Sequence, residues 1–475
     1  MSTFSIGGLA TGLDTNSIIS QLMDLERSPQ RVLKAKQKTY QSQADIYTRL
    51  KNALINLKTV ATGISTSSGF KGMQSTVADS SVMTVTATST ASPGNHTLEV
   101  LTLARSQRQV TTGYASDAVF STGSFSIDDG AGSVTPISIS EGSNTLQGIA
   151  AAINSSGGQV TASIINDGSA TPYRLVITGK DTKNYTLDFS ALTTPPLSGA
   201  PAQVPGFLGP ADPSYQAGTA ASFKLDGIII TKTSNAVSDV MEGVTLNLLK
   251  EGATTTFGVA NDTDGATKKV NDLVAAYNNA INLINTQSAY DPSTKKAGVL
   301  SGDSTLRAIQ TQLRSLLTTP VAGVSGPYST LAQLGITSSK SDGTLSVDAT
   351  KLSTALSTNF ENVVDLFTHN TGILASFPEN EYGIAQQFNL VMERLVHAYE
   401  GPTSNKNGFI ETRIKGLQSS ISDIDKQVEA MEDRIGRMQE AMQKRFSAME
   451  SMVSSLQTQG NAMIASLNSL TSNKL

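Results

Sequence analysis

The stretch from Ile410 to Met442, IETRIKGLQSSISDIDKQVEAMEDRIGRMQEAM, decides the architecture. Ile410, Ile414, Leu417, Ile421, Ile424, Val428, Met431, Ile435, Met438 and Met442 follow one another at alternating spacings of four and three. That alternation lays one apolar seam along one side of a helix. A stutter precedes Phe446, Met449, Val453 and Leu456, and the seam resumes at Met463, Leu467 and Leu470; an inserted turn of this kind locally unwinds a supercoil. A helix of this length cannot fold onto a globular core along its whole extent and needs another helix beside it.

The other end of the chain supplies a candidate. Ile18, Leu22 and Leu25 open a second seam after an N-cap expected at Thr15 or Asn16. Pro29 interrupts it, and Val32, Lys36, Thr39 and Gln43 weaken it. Tyr47, Leu50, Leu54, Leu57, Ala61 and Ile64 restore it, and Gly69 and Gly72 end it. The simplest arrangement pairs the two terminal helices and inserts everything else between them.

The central region changes period. Met83, Val85 and Ala87 alternate with threonines as a half-exposed strand, and Pro93-Gly94-Asn95 turns it toward a returning strand at Leu98 and Val100. A phase slip at Leu101 and Leu103 predicts a bulge. Phe125 and Ile127, an Asp128-Asp129-Gly130 turn, Ile137 and Ile139 form the next hairpin. A helix carries Leu146, Ile149, Ala150 and Ile153 and stops at Gly157-Gly158. Val160, Ala162 and Ile164 turn at Asn166-Asp167-Gly168 into Tyr173, Leu175 and Ile177. The Pro-rich stretch 193–213, TTPPLSGAPAQVPGFLGPADP, reads as a boundary. Beyond it, Asp226-Gly227 marks a hairpin, and strands at Val244–Leu248 and Phe257–Val259 are expected to complete the sheet begun near Thr76. Helices return at Val270–Ile284, after an N-cap at Asp303, at Phe360–Phe367 and at Ile384–Tyr399.

Composition narrows the function. The chain has 475 residues, 16% charged, with a net charge of -4, so it lacks the basic stripe of a nucleic-acid binder. It has no cysteine, which removes disulfides, thiolate metal sites and cysteine nucleophiles, and suits an extracellular bacterial protein. The first residues lack the basic and apolar regions of a signal peptide. No stretch has the length of a membrane span, so no membrane insertion is expected. His96, His369 and His397 are not at metal-ligand spacing. Asp262-Thr263-Asp264-Gly265 lacks the flanking acids of a calcium loop and reads as a strand-to-helix turn. No phosphate loop, dinucleotide fingerprint or nucleophile elbow occurs. No catalytic, metal or cofactor residue is therefore assigned. The seam holds Met431, Met438, Met442, Met449, Met452 and Met463, six of the 12 methionines, and methionine suits a surface that changes partners.

The opening, Ser5-Ile6-Gly7-Gly8-Leu9-Ala10-Thr11-Gly12-Leu13-Asp14-Thr15 with Leu25-Glu26-Arg27-Ser28-Pro29, closely resembles the start of the flagellar hook-associated protein 2 family, the bacterial filament caps. Gly302-Asp303-Ser304-Thr305-Leu306-Arg307, Leu334-Gly335-Ile336-Thr337 and Asp342-Gly343-Thr344-Leu345 continue the resemblance. The line from Ala150-Ala151-Ala152-Ile153-Asn154 to Gly179-Lys180-Asp181 is similar to the hook IN motif. The resemblance implies a non-enzymatic protein, exported by the flagellar type III route, that forms a small ring at the filament tip and promotes flagellin polymerisation. It also implies junction proteins between hook and filament as partners, and an export chaperone at the C-terminal region. An adhesin binding mucin or glycans through its β-domains is the alternative.

The expected fold is α+β and multidomain: an antiparallel helical bundle or coiled coil from both termini, with two nested β-rich heads between. The expected parts are a mobile leg helix at 1–45, helical domain at 46–75 and 266–409, inner β-domain at 76–112 and 215–265, distal IN-like domain at 113–214, and a coiled-coil leg at 410–475. The expected partner-binding residues are Ile18, Leu22, Leu25, Leu50, Leu54, Leu57, Ile421, Ile424, Val428, Met431, Ile435, Met438, Met442, Phe446 and Met449.

Overall fold

The computed structural model describes residues 14–293, 295–370, 381–396 and 408–472. Ser5–Leu13, His397, Tyr399 and the side chain of Leu470, all weighed above, lie outside the described residues. The chain divides into two compact units, Met1–Phe70 with Thr267–Leu475, and Lys71–Ala266.

Helix α1 (Thr15–Glu26) is opened by Asp14, whose carboxylate accepts the Ser17 N–H at 3.0 Å. The cap thus falls just before the expected Thr15 or Asn16, where a short anionic acceptor meets the positive end of the helix. Pro29 sits in the first turn of α2 (Ser28–Gly63). It starts a new helix there, because a first-turn residue has no intrahelical N–H partner to lose. The restored seam of α2 is buried: Ala44, Tyr47, Leu50, Leu54, Leu57 and Ala61 form one stripe. A short α3 (Ser67–Phe70) ends this part.

The second unit starts at β1 (Met73–Val77), β2 (Met83–Ala87) and β3 (Gly94–Thr102). It continues through β4 (Arg108–Val110), β5 (Gly123–Asp128), β6 (Val134–Ile139), α4 (Leu146–Ser155), β7 (Val160–Asn166), β8 (Tyr173–Gly179) and β9 (Thr186–Asp188). It closes with β10 (Ala221–Leu225), β11 (Ile228–Lys232), β12 (Ala236–Met241), β13 (Val244–Leu248) and β14 (Ala253–Asn261).

Two sheets, ordered β1-β14-β3-β10-β11 and β12-β13-β2, enclose one core of Val85, Leu98, Val100, Phe223, Leu246 and Phe257. The expected pairing of β2 with the strand after Pro93 does not occur: β2 pairs with β13, and β3 lies in the other sheet. The connection between them carries the chain from sheet to sheet. The expected bulge is present, since Ser222 and Phe223 of β10 oppose Thr102 and Val100 and leave Leu101 over. Asp226 and Gly227 hold φ of 50° and 86°, which matches a two-residue turn whose twist suits the flanking strands.

A second core gathers Phe120, Phe125, Ile127, Ile149, Ile153, Leu175 and Ile177 between α4 and the sheets β4-β8-β7 and β6-β5-β9. The Pro-rich stretch is a strap on this core. Thr194 bridges to Thr122 and Phe207 to Thr111, and the Gly206 N–H donates to the Tyr114 hydroxyl at 2.7 Å. Its prolines remove donors where the backbone runs alone, and Phe207 packs on the core.

Helix α5 (Thr263–Ser288) begins the return. Asp262 caps it, accepting the Gly265 N–H at 2.8 Å. Then come β15 (Tyr290–Asp291), β16 (Lys296–Ala297), α6 (Ser304–Thr318), β17 (Ile336–Ser338), β18 (Leu345–Val347), α7 (Ala349–Thr358), α8 (Phe360–Thr368), α9 (Ile384–Val396) and α10 (Phe409–Ser472). The β17–β18 hairpin and α7 were not expected; the hairpin's strands, three residues each, are too short to show a period. At 64 residues, α10 is one helix, about 96 Å long at the usual rise per residue. It runs through Gly460 without interruption. A single helical glycine costs about 1 kcal/mol against alanine, which strong helix formers on both sides offset.

Candidate partner-binding seam

The seam is built from α10 against α1 and α2. Toward the body the contact is dry. Ile410, Ile414 and Leu417 of α10 are buried, as are Leu50, Leu54 and Leu57 of α2. The last three were expected on a partner-binding surface; they are instead wholly enclosed by the chain's own helices, so they offer nothing to a partner in this structure. Ile424 and Ile435 are also buried within the chain.

Away from the body the two sides differ. The face of α10 stays apolar, with Ile421, Val428, Met431, Met438, Met442 and Phe446 half-buried. The facing part of α2 is polar. Gln30 is buried and donates to Glu432, and Gln37 donates to Asp425 at 2.5 Å. Arg27 reaches Glu432 at 3.4 Å, and Arg434 reaches Glu26 at 3.7 Å. The hydrogen bond from Gln30 holds the Glu432 carboxyl below the ordinary glutamate range. Such cross-links set register, but exposed ion pairs add little to stability.

Helix α1 turns a different face inward than its seam suggests. Ile19 and Met23 pack on Ile435, with Met438, Met442 and Phe446 around them. Ile18, Leu22 and Leu25 point to solvent, Leu25 being 70% exposed. Both stripes have helical spacing, so periodicity alone cannot rank them; the position of α10 does. Val32 continues the exposed stripe. Beyond Phe446 the seam of α10 is mostly bare: Met449, Met452, Leu456, Met463, Ile464 and Leu467 are exposed, and Val453 is half-buried.

Asp303 is the residue the sequence reading used least for its weight. It caps α6, as expected, accepting the N–H groups of Thr305 and Leu306 at 2.8 and 3.2 Å. Its carboxylate also accepts the Tyr47 hydroxyl of α2 at 2.7 Å and Nη2 of Arg413 in α10 at 2.9 Å. Burial pushes the Asp303 carboxyl up, but the donors around it outweigh burial and leave it below its ordinary value. Burial and the same carboxylate push the Tyr47 phenol up. Nearby, Lys51 bonds Glu411 at 2.5 Å and holds that carboxyl low, and Lys58 pairs with Glu393.

Among the described residues no His, Cys, Asp or Glu group converges to hold a metal ion. His96 bonds Asp226 at 2.7 Å and His369 bonds Asp365 at 3.0 Å, each a pair within the fold. Asp262, the calcium candidate, is spent on its helix cap. Asn184 exchanges two hydrogen bonds with the Gly218 backbone. Among the described residues no helix is long and apolar enough to cross a membrane.

The pattern described as flagellar hook-associated protein 2 C-terminus matches residues 218–458, and that of the N-terminus matches 11–107. The flagellin hook IN motif matches 124–181, within the second β core. The flagellar hook-associated protein 2 of Escherichia coli O157:H7 is 30% identical over 464 residues, covering 92% of both chains. The B-type flagellar hook-associated protein 2 of Pseudomonas aeruginosa is 28% identical, again covering 92% of each. The D1-D2-D3 domains of the Escherichia coli flagellar cap protein FliD superpose with a TM-score of 0.58 at 29% identity, covering 78% of this chain and 99% of that one. With both terminal patterns matched and helices flanking a β-rich middle, this chain belongs to the flagellar hook-associated protein 2 family of cap proteins.

Proposed function

We propose that this protein caps the growing flagellar filament as a ring of identical subunits and promotes the folding and addition of flagellin beneath it. The observation that carries the reading is the half-matched seam. Its apolar side on α10 is longer than the helices available to cover it, and its mid-section faces glutamines. A permanent intramolecular coiled coil would be expected to match apolar with apolar along its length. A seam that must pass between partners gains from weak, exchangeable pairing.

In this reading the bare end of α10 and the exposed stripe of α1 meet other chains in turn: an export chaperone before secretion by the flagellar route, then neighbouring subunits, flagellin and the junction with the hook. The protein needs no catalysis for this task. The adhesive alternative receives no support from the relatives, whose names describe hook-associated and cap proteins.

The test is a clean deletion. Cells lacking the protein are expected to release unpolymerised flagellin and to carry no long filaments, with rescue by the wild-type chain. Normal filaments in the deletion strain would refute the reading.

A further inference from the structure

The Gly302–Arg307 motif has no task in the function described so far, yet it places one carboxylate where three helices meet. Asp303 is only 8% exposed at its side chain and joins Tyr47 of α2, the first turn of α6 and Arg413 of α10. On the body side of this point the leg helices are packed dry by Leu50, Leu54, Leu57, Ile410 and Ile414. Toward the free ends they are joined by Gln37–Asp425, Gln30–Glu432 and Arg27–Glu432, with half-buried Ile421, Val428 and Met431 between.

We infer that Asp303 is a clasp that sets where the opening of the legs stops. The inference rests on the reading that the legs open to exchange partners. Separation of α2 and α10 starts at their free ends and breaks mostly exposed polar cross-links, which water replaces cheaply, with only the isolated buried contacts of Gln30, Ile424 and Ile435 among them. At Arg413 it meets an ion pair whose carboxylate, Asp303, is 8% exposed while the arginine is 40% exposed. Breaking that pair leaves the Asp303 carboxylate without its counter-ion in a poorly solvated site, which costs more than breaking a pair exposed on both sides. The carboxylate is also held by two backbone N–H groups and a tyrosine hydroxyl, so it cannot follow the departing arginine. The legs therefore move as levers on a fixed point, and Asp303 is a positioning residue for the cap rather than only the cap of α6.

Hydrogen exchange on the full-length chain tests this. Wild type should show a step in α10, with slow amides from Glu411 to about Ile424, where the clasp keeps the adjoining Leu417 and Ile424 buried, and faster ones beyond. Asp303→Asn keeps an acceptor for the α6 cap but loses the charge opposite Arg413. Loss of a charged hydrogen bond should speed exchange across 411–424 by about tenfold to a hundredfold, with the first turn of α6 and the strands of the second unit unchanged. Arg413→Met should give the same shift, and the double variant no more than either alone, as expected for one shared interaction. If Asp303 only caps α6, Arg413→Met leaves 411–424 unchanged and Asp303→Asn acts at α6 or nowhere; that result overturns the clasp and leaves the function reading standing. A wild-type α10 protected evenly from Glu411 to Leu467 overturns both.

Discussion

Replacing Ile435 by alanine should free α1 while leaving the rest of the molecule closed. Ile435 is 1% exposed and forms, with Ile19 and Met23, the small cluster that holds α1 on α10. Truncating a buried isoleucine to alanine costs about 2–5 kcal/mol. Here the lower end applies: Met438, Met442 and Phe446 border the cluster, are only half-buried, and can move into the space. A loss of about 2 kcal/mol corresponds to roughly a 30-fold shift in the docking equilibrium. Since α1 has 12 residues, it is too short to be stable as an undocked helix, so undocking also unfolds it. Hydrogen exchange followed by mass spectrometry reads this directly. Peptides within 15–26 should exchange about 30-fold faster, while those within 44–61 stay unchanged, because distant clusters open independently. Leu25→Ala, at a solvent-facing position of the same helix, is the control and should change nothing. Unaltered exchange in α1, or a matching loss of protection in 44–61, would refute the argument that this cluster alone docks α1.

Leu54→Ala, in the wholly buried stripe of α2, should cost about 3 kcal/mol in denaturant unfolding; a change under about 1 kcal/mol would mean the site is not core. Gly227→Ala, at φ 86° in the β10–β11 turn, should destabilise by about 1 kcal/mol, while the neighbouring Asp226→Asn, tolerant of the same region, should cost less. Asp129 is held at about 2 by the hydrogen bond from Lys183 and by the Ala131 and Ser133 N–H groups. Its contribution to stability is present above the ordinary value of 3.8 and is lost as pH falls through about 2, and Lys183→Met should move its NMR titration upward. The triple substitution Ile18→Ser, Leu22→Ser and Leu25→Ser should leave monomer stability within about 0.5 kcal/mol yet impair cap assembly, scored by filament length; unaffected filaments would show that the stripe has no partner.

Much of the fold was legible because its elements are long or sharply punctuated. The four-and-three spacing of α10, the alternation in β2, the Asp226-Gly227 turn and the Asp303 cap each carry a local physical signal that tertiary structure had no cause to override. The failures share a cause as well. Pro93-Gly94-Asn95 is not the turn: Gly94 and Asn95 already begin β3, the chain turns at Thr88–Ala91, and turn residues do not say whether the strands beside them pair or part to different sheets. Leu50, Leu54 and Leu57 have the same spacing whether they face a partner chain or the protein's own helices, and in this structure the chain's own helices bury them. The choice between the Ile18 and Ile19 faces of α1 is likewise set by where α10 lies. The Tyr47–Asp303–Arg413 meeting links residues far apart in the chain, and no periodicity can announce it.

If the terminal helices exchange partners at the filament end, electron cryo-microscopy of the capped tip should catch them doing so. The prediction is a ring in which Ile18, Leu22 and Leu25 of α1 and Met449, Met452 and Leu456 of α10 are covered by neighbouring subunits or flagellin. A tip in which these side chains remain exposed, with each subunit's α1 and α10 paired only to each other, would contradict it.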